Sequence, residues 1–115
     1  MSPADLILKR MELYEKNEFG AIYDLYDENS MLKNFYPDKK GYESFMYKFS
    51  KGIILKDVRI LESNIKGNFA RVISEEYLVD DENKKIIVNK CISYLKLSAC
   101  GWKILKETRE QMTSE

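Results

Sequence analysis

At 115 residues the chain has room for one domain built round one core. Its 19 basic and 19 acidic side chains cancel to a formal charge of zero, so the sustained positive field that draws phosphate backbones or anionic lipid is missing, which argues against nucleic acid and membrane surfaces as partners. Histidine is absent; this removes Ser-His-Asp and Cys-His catalysis and the common zinc sites, and leaves carboxylates, tyrosines, lysines and thiols to carry any chemistry.

The opening Met1-Ser2-Pro3-Ala4-Asp5 has no basic stretch, and Leu6-Ile7-Leu8 is broken by Lys9-Arg10 well short of a signal or spanning segment, so a cytoplasmic protein is expected. Ser2, Pro3 and Asp5 have the form of a helix start: an N-cap, a proline at the first helical position and an acid in the first turn. Leu6, Ile7, Met11 and Tyr14 then recur at helical spacing as far as about Lys16. After a corner at Asn17-Glu18, the residues Phe19, Ile22, Tyr23 and Tyr26 repeat the period and predict a second helix ending near Asn29-Ser30. Residues 31–36 read as an edge strand or extended link, stopped by Pro37-Asp38. A third helix is predicted from the stripe Tyr42, Phe45, Met46 and Phe49, with Gly52 placed where a left-handed C-terminal residue is wanted.

Beyond Gly52 the period changes from helix to strand. Residues 53–65, 69–80, 86–98 and 102–108 are rich in β-branched and aromatic side chains and are separated by polar turns, which predicts an antiparallel meander. Strands this long bend, and helices segregated in sequence from such a sheet pack on one of its faces. The expected architecture is therefore α+β: three N-terminal helices in the concave face of a long, bent antiparallel sheet of about four strands. Residues 1–109 are expected to form the domain and residues 110–115 a flexible tail. Cys91 and Cys100 read as reduced small hydrophobes, not as a disulfide.

The three helices, the Leu25-Tyr26-Asp27-Glu28-Asn29-Ser30 segment and a hairpin pair ending in Gly101-Trp102-Lys103-Ile104 resemble the nuclear-transport-factor-2-like superfamily, a cone-shaped, cystatin-like fold. One branch with a similar layout accompanies SEC-C zinc motifs, although this chain carries no such cysteine cluster. The resemblance implies a fold that hosts ketosteroid isomerases, dehydratases, transport adaptors and association domains, many of them dimers through the outer face of the sheet. Compared with the isomerase pattern, the carboxylate base is replaced by Asn34, the oxyanion-donating tyrosine by Arg10 and the neutral acid by Ser93. Asparagine cannot abstract a proton, and the dehydratase histidines are missing, so both chemistries are disfavoured.

A different constellation remains open. If Ala70 and Val72 face the helices, period two also turns Ser74, Glu76 and Leu78 inward, and a carboxyl desolvated by aromatic surface could serve as an acid or base. The plainer reading sends Glu75 outward, leaves Glu76 at a wet rim and makes both partners of lysines such as Lys90 and Lys96. Ten of the 14 aromatic residues lie between Tyr14 and Phe49. Most are expected in the core, yet tyrosine hydroxyls need partners, so several should edge a cavity. The residues expected to line it are Tyr26, Asn34, Tyr36, Tyr42, Ser74, Glu76 and Ser93, around a small apolar or aromatic ligand. Asp80-Asp81-Glu82-Asn83 lacks the spacing of a calcium loop and reads as a solvated hairpin turn; no metal and no cofactor are expected. Phe69, Ile73, Tyr77 and Val79 form an alternate stripe for the outer sheet face, where a homodimer interface is expected. The expected function is a non-catalytic small-molecule-binding or dimerisation module. The alternative is a small lyase, isomerase or hydrolase using Glu76 with tyrosine donors.

Overall fold

Among residues 1–114, which the computed structural model describes, helices α1 (Pro3–Glu15), α2 (Phe19–Tyr23), α3 (Met31–Phe35) and α4 (Lys39–Gly52) precede strands β1 (Ile53–Lys66), β2 (Phe69–Asp80), β3 (Lys85–Ser98) and β4 (Gly101–Ser114). The strands form one antiparallel sheet in the order β1-β2-β3-β4. The α+β class and the four-stranded meander agree with the sequence, while the helical half differs in three places.

Helix α1 begins as its sequence dictates. The Ser2 hydroxyl accepts from the Asp5 amide at 3.1 Å and the Asp5 carboxylate accepts from the Ser2 amide at 3.2 Å, so two amides that have no partner within the helix are satisfied reciprocally. The expected second helix stops early. The Asp27 amide donates to the Ile104 carbonyl at 2.8 Å and the Ile104 amide to the Leu25 carbonyl at 3.0 Å, so pairing with β4 replaces helix continuation and fixes an isolated bridge at Tyr26. Ser30 consequently opens a helix instead of closing one: its hydroxyl caps α3 by accepting from the Lys33 amide at 3.2 Å. The segment expected to be extended is therefore helical, and the described residues hold four helices instead of three. Gly52 is not a left-handed stop either. The chain leaves α4 directly into β1 through Ile53 in extended conformation, while the positive φ angles of glycine fall at Gly67 and Gly101, beside the hairpin turns.

Antiparallel partners share a face of the sheet, so the register identifies the buried one. Ala70 pairs with Leu95 and Leu95 with Ile104; Val72 pairs with Ser93 and Ser93 with Glu107; Ser74 pairs with Cys91 and Cys91 with Arg109; Glu76 lies between Val58 and Asn89. Val58, Ala70, Val72, Leu95 and Ile104 from this face close a single core against Leu6, Ile7, Leu13, Phe19, Ile22, Tyr23, Tyr26 and Tyr42 from the helical half. Burying side chains such as Ile7, Phe19 and Ile22 contributes about 1.5–3 kcal/mol each.

Four register shifts interrupt the ladders, and the extra residues, Lys56, Leu61, Leu105 and Met112, all lie on the edge strands β1 and β4. Bulges raise local twist and bend the strand that carries them, and edges are where they concentrate. Strand β4 also continues where a loose tail is expected: Glu110 pairs with Lys90 and Gln111 with Asn89, and backbone pairing extends to Ser114. Glu115 lies outside the described residues. No helix among the described residues is long and apolar enough to cross a membrane.

Candidate functional site

A cavity of about 310 Å³ lies between the helices and the buried face of the sheet. Helix α1 lines it with Ile7, Arg10, Met11 and Tyr14, the helical corner with Ile22, Tyr26, Leu32 and Tyr36, and α4 with Tyr42, Phe45, Met46 and Phe49. The sheet adds Leu55, Val58, Glu76, Leu78, Asn89 and Arg109. The walls are thus apolar and aromatic, and the charged groups come from α1, β2 and β4. Tyr36, Phe45 and Phe49 form part of an aromatic ladder, with centroids 5.7 Å apart from Tyr36 to Phe45 and 5.8 Å apart from Phe45 to Phe49.

The charged end is a four-membered ion cluster. Glu107, whose side chain is 5% exposed, pairs with Arg10 of α1. It also accepts from the Tyr26 hydroxyl at 2.6 Å and from the Ser93 hydroxyl at 2.6 Å, and the Cys91 thiol lies 3.7 Å from it. Arg109 binds Glu76 through two bonds, Nε to Oε1 at 2.8 Å and Nη2 to Oε2 at 3.2 Å, and its Nη2 reaches Glu107 at 3.5 Å. Arg10 closes the ring with Nη1 on the Tyr26 hydroxyl at 2.9 Å and Nη2 at 3.9 Å from Glu76.

These contacts set the protonation states. Burial pushes the Glu107 carboxyl up, but the guanidiniums of Arg10 and Arg109, with the hydrogen bonds from Arg10 and Ser93, outweigh it and hold the group well below the usual carboxylate range. Burial opposes the charge of Arg10 and Arg109, yet Glu107 and Glu76 hold both above the usual arginine value. Burial pushes Tyr26 far above the usual phenol value in spite of Arg10, and raises Tyr42 and Tyr14 to about 12. The Cys91 thiol is raised too, by burial and by Glu107. At neutral pH Glu107 is therefore a fixed anion between two fixed cations, beside neutral phenols and a neutral thiol.

Of the residues expected at the pocket, Tyr26, Tyr36, Tyr42 and Glu76 line the cavity. Asn34 sits exposed on α3, away from it. Ser93 lies behind the cavity wall, bonded to Glu107. Ser74 is fully buried, and its hydroxyl has no hydrogen-bond partner among the described residues. Glu76 faces inward, as period two from Ala70 and Val72 requires, whereas Glu75 pairs with Lys90 on the other face and accepts from the Tyr77 hydroxyl at 2.7 Å. Phe69 is exposed on that outer face; Ile73, Tyr77 and Val79 are half-buried there, with the Arg59 guanidinium 5.1 Å over the Tyr77 ring. Both cysteines are free, Cys91 buried and Cys100 exposed.

Arg10, Asn89, Glu107 and Arg109 are absent from the sequence-based site. Arg10 had a legible signal, because it falls on the buried stripe of α1 between Leu6 and Leu13. Glu107 and Arg109 had none, since alternation counted from buried Ile104 would turn them outward; the extra residue Leu105 reverses the phase.

No family model matches the chain, and no curated protein matches it. Among solved structures, the chain is similar to the solution structure of a SEC-C motif containing protein from Rhodopseudomonas palustris, with a TM-score of 0.74 and 17% identity over 93% of this chain and 77% of that one. This match overturns the resemblance to the nuclear-transport-factor-2-like superfamily and its cystatin-like fold. The segments that carried that resemblance do other work: Leu25 to Ser30 is a strand bridge and a helix cap, not a helix end. At this identity the likeness shows the fold alone, an α+β fold shared with the SEC-C motif containing protein.

Proposed function

We propose that this chain is a non-catalytic small-molecule-binding module that takes a mostly apolar, ring-bearing molecule into the cavity between helices and sheet, round which the bulged edge strands curve. The carrying observation is the combination of about 310 Å³ of aromatic-walled space with a polar end to which Arg10, Tyr42, Glu76 and Arg109 contribute. Apolar cavities with a few convergent polar groups are the usual form of a ligand site. Against catalysis by Glu76 stands its bidentate engagement by Arg109, which occupies both carboxylate oxygens. Glu107 is held too strongly as an anion to take a proton near neutrality, and Tyr26, Tyr42 and Cys91 are pushed away from it. Native mass spectrometry of protein purified from its own host tests the reading: a retained small molecule, released on denaturation, is expected. Unliganded protein whose thermal stability no member of an apolar aromatic library raises would refute it.

A second reading concerns assembly. Ile73 opposite Ile92, Tyr77 opposite Val88 and Val79 opposite Ile86 form an apolar stripe on the outer sheet face, with Ile86 52% exposed. This stripe supports a homodimer, sheet against sheet. Sedimentation should give a dimeric mass that Ile86→Lys converts to a monomer; a monomeric parent chain at all concentrations would contradict it.

A further inference from the structure

We propose that the cavity selects a carboxylate carried on an apolar, ring-bearing body; this rests on the small-molecule reading above and adds the ligand's polar end. The argument is a donor and acceptor count at the charged end of the cavity. The Glu107 carboxylate is filled, taking Arg10, Tyr26, Ser93 and Arg109, whereas Glu76 takes only the two bonds from Arg109 and keeps part of its acceptor capacity. The open donors outnumber that remaining capacity. Arg10 commits Nη1 to Glu107 and Tyr26, while its Nη2 comes no nearer to a carboxylate than 3.9 Å. Arg109 commits Nε and Nη2, which leaves Nη1 without an acceptor among the described residues. Tyr42 lines the cavity, and its hydroxyl makes no hydrogen bond among the described residues. Asn89 can offer either polarity and does not discriminate.

The lining gives this end its sign. Arg10, Glu76 and Arg109 line the cavity while Glu107 is not among its lining residues, so the wall carries two cations against one anion, although the four charges of the cluster cancel. Two guanidinium edges and a phenol hydroxyl suit the paired oxygens of a carboxylate, since charge-assisted bonds are about twice as strong as neutral ones. The aromatic walls accommodate the rest of the molecule.

Isothermal titration with three probes of one shape tests this: 2-naphthylacetate, 2-naphthylacetamide and 2-(2-naphthyl)ethylamine. The acid should bind at least about tenfold more tightly than the amide, with the amine weakest. Tyr42→Phe should weaken the acid about five- to tenfold while leaving the urea midpoint unchanged or raised, because the hydroxyl it removes serves no protein group. An amide or amine that binds as tightly as the acid would overturn the carboxylate assignment and leave the cavity reading standing. Failure of all three probes to bind would overturn both.

Discussion

Replacing Arg10 by methionine keeps an apolar stem in the buried stripe of α1 but strips Glu107 of its closest counter-charge. Breaking a buried pair by removing one partner costs about 3–5 kcal/mol, because an uncompensated charge stays in a desolvated site. Here the Tyr26 and Ser93 hydroxyls and the more distant Arg109 continue to support Glu107, which places the expected loss near the lower bound, about 3 kcal/mol. For a chain of this length that corresponds to a fall in Tm of roughly 12 °C, at about 4 °C per kcal/mol. Urea unfolding at neutral pH measures it, and the double variant Arg10→Met with Glu107→Gln should recover about half of the loss, since the orphaned charge is then gone. The pH dependence has a definite sign. Glu107 has a depressed folded pKa, so its contribution is fully present above its ordinary value of 4.5 and is lost as pH falls towards the folded value. The gap between parent and Arg10→Met should therefore narrow below pH 4.5. A loss under about 1 kcal/mol at neutral pH, or a gap that acid leaves unchanged, would refute the view that this pair is a desolvated, mutually stabilising unit.

Other perturbations separate the roles of neighbouring groups. Ser74→Ala removes a fully buried hydroxyl without a partner and should leave stability unchanged or raise it by about 1 kcal/mol; a loss of that size in urea unfolding would mean that the hydroxyl is satisfied in solution. Glu76→Gln should lower stability by about 1 kcal/mol, a modest figure because Arg109 is 42% exposed and can turn to water; a rise in stability would show the carboxylate to be poorly compensated. In the folded protein a thiol-specific disulfide reagent should titrate Cys100 promptly and Cys91 only on unfolding, since Cys91 is buried with a raised pKa; equal rates would contradict its placement.

What the sequence made legible depended on whether the determinants were local. The four strands could be read because β-branched runs and their polar turns are local signals, and the inward row from Ala70 to Glu76 followed from period two along an unbulged strand. Where pairing at a distance decides the outcome, the sequence was silent or misleading. Helix α2 ends because Leu25 and Asp27 meet Ile104, a contact made across the fold. Helix α4 enters β1 without a left-handed residue, so Gly52 lacks the role its type suggested. The candidate site shows the same division. Its tyrosines and Glu76 were accessible from periodicity, and Arg10 could have been found as a cation on an apolar stripe. Glu107 and Arg109 were hidden by one extra residue, Leu105, that reverses the alternation of β4.

The central claim, that the space between helices and sheet is a binding site, is tested most directly by amide chemical-shift mapping during titration with 2-naphthylacetate. The account predicts saturable shifts at Ile22, Tyr42, Val58, Leu78 and Asn89, which surround the cavity, and none at Ile73, Tyr77 and Ile86 on the outer face. Shifts confined to the outer face, or none at saturating probe, would contradict it.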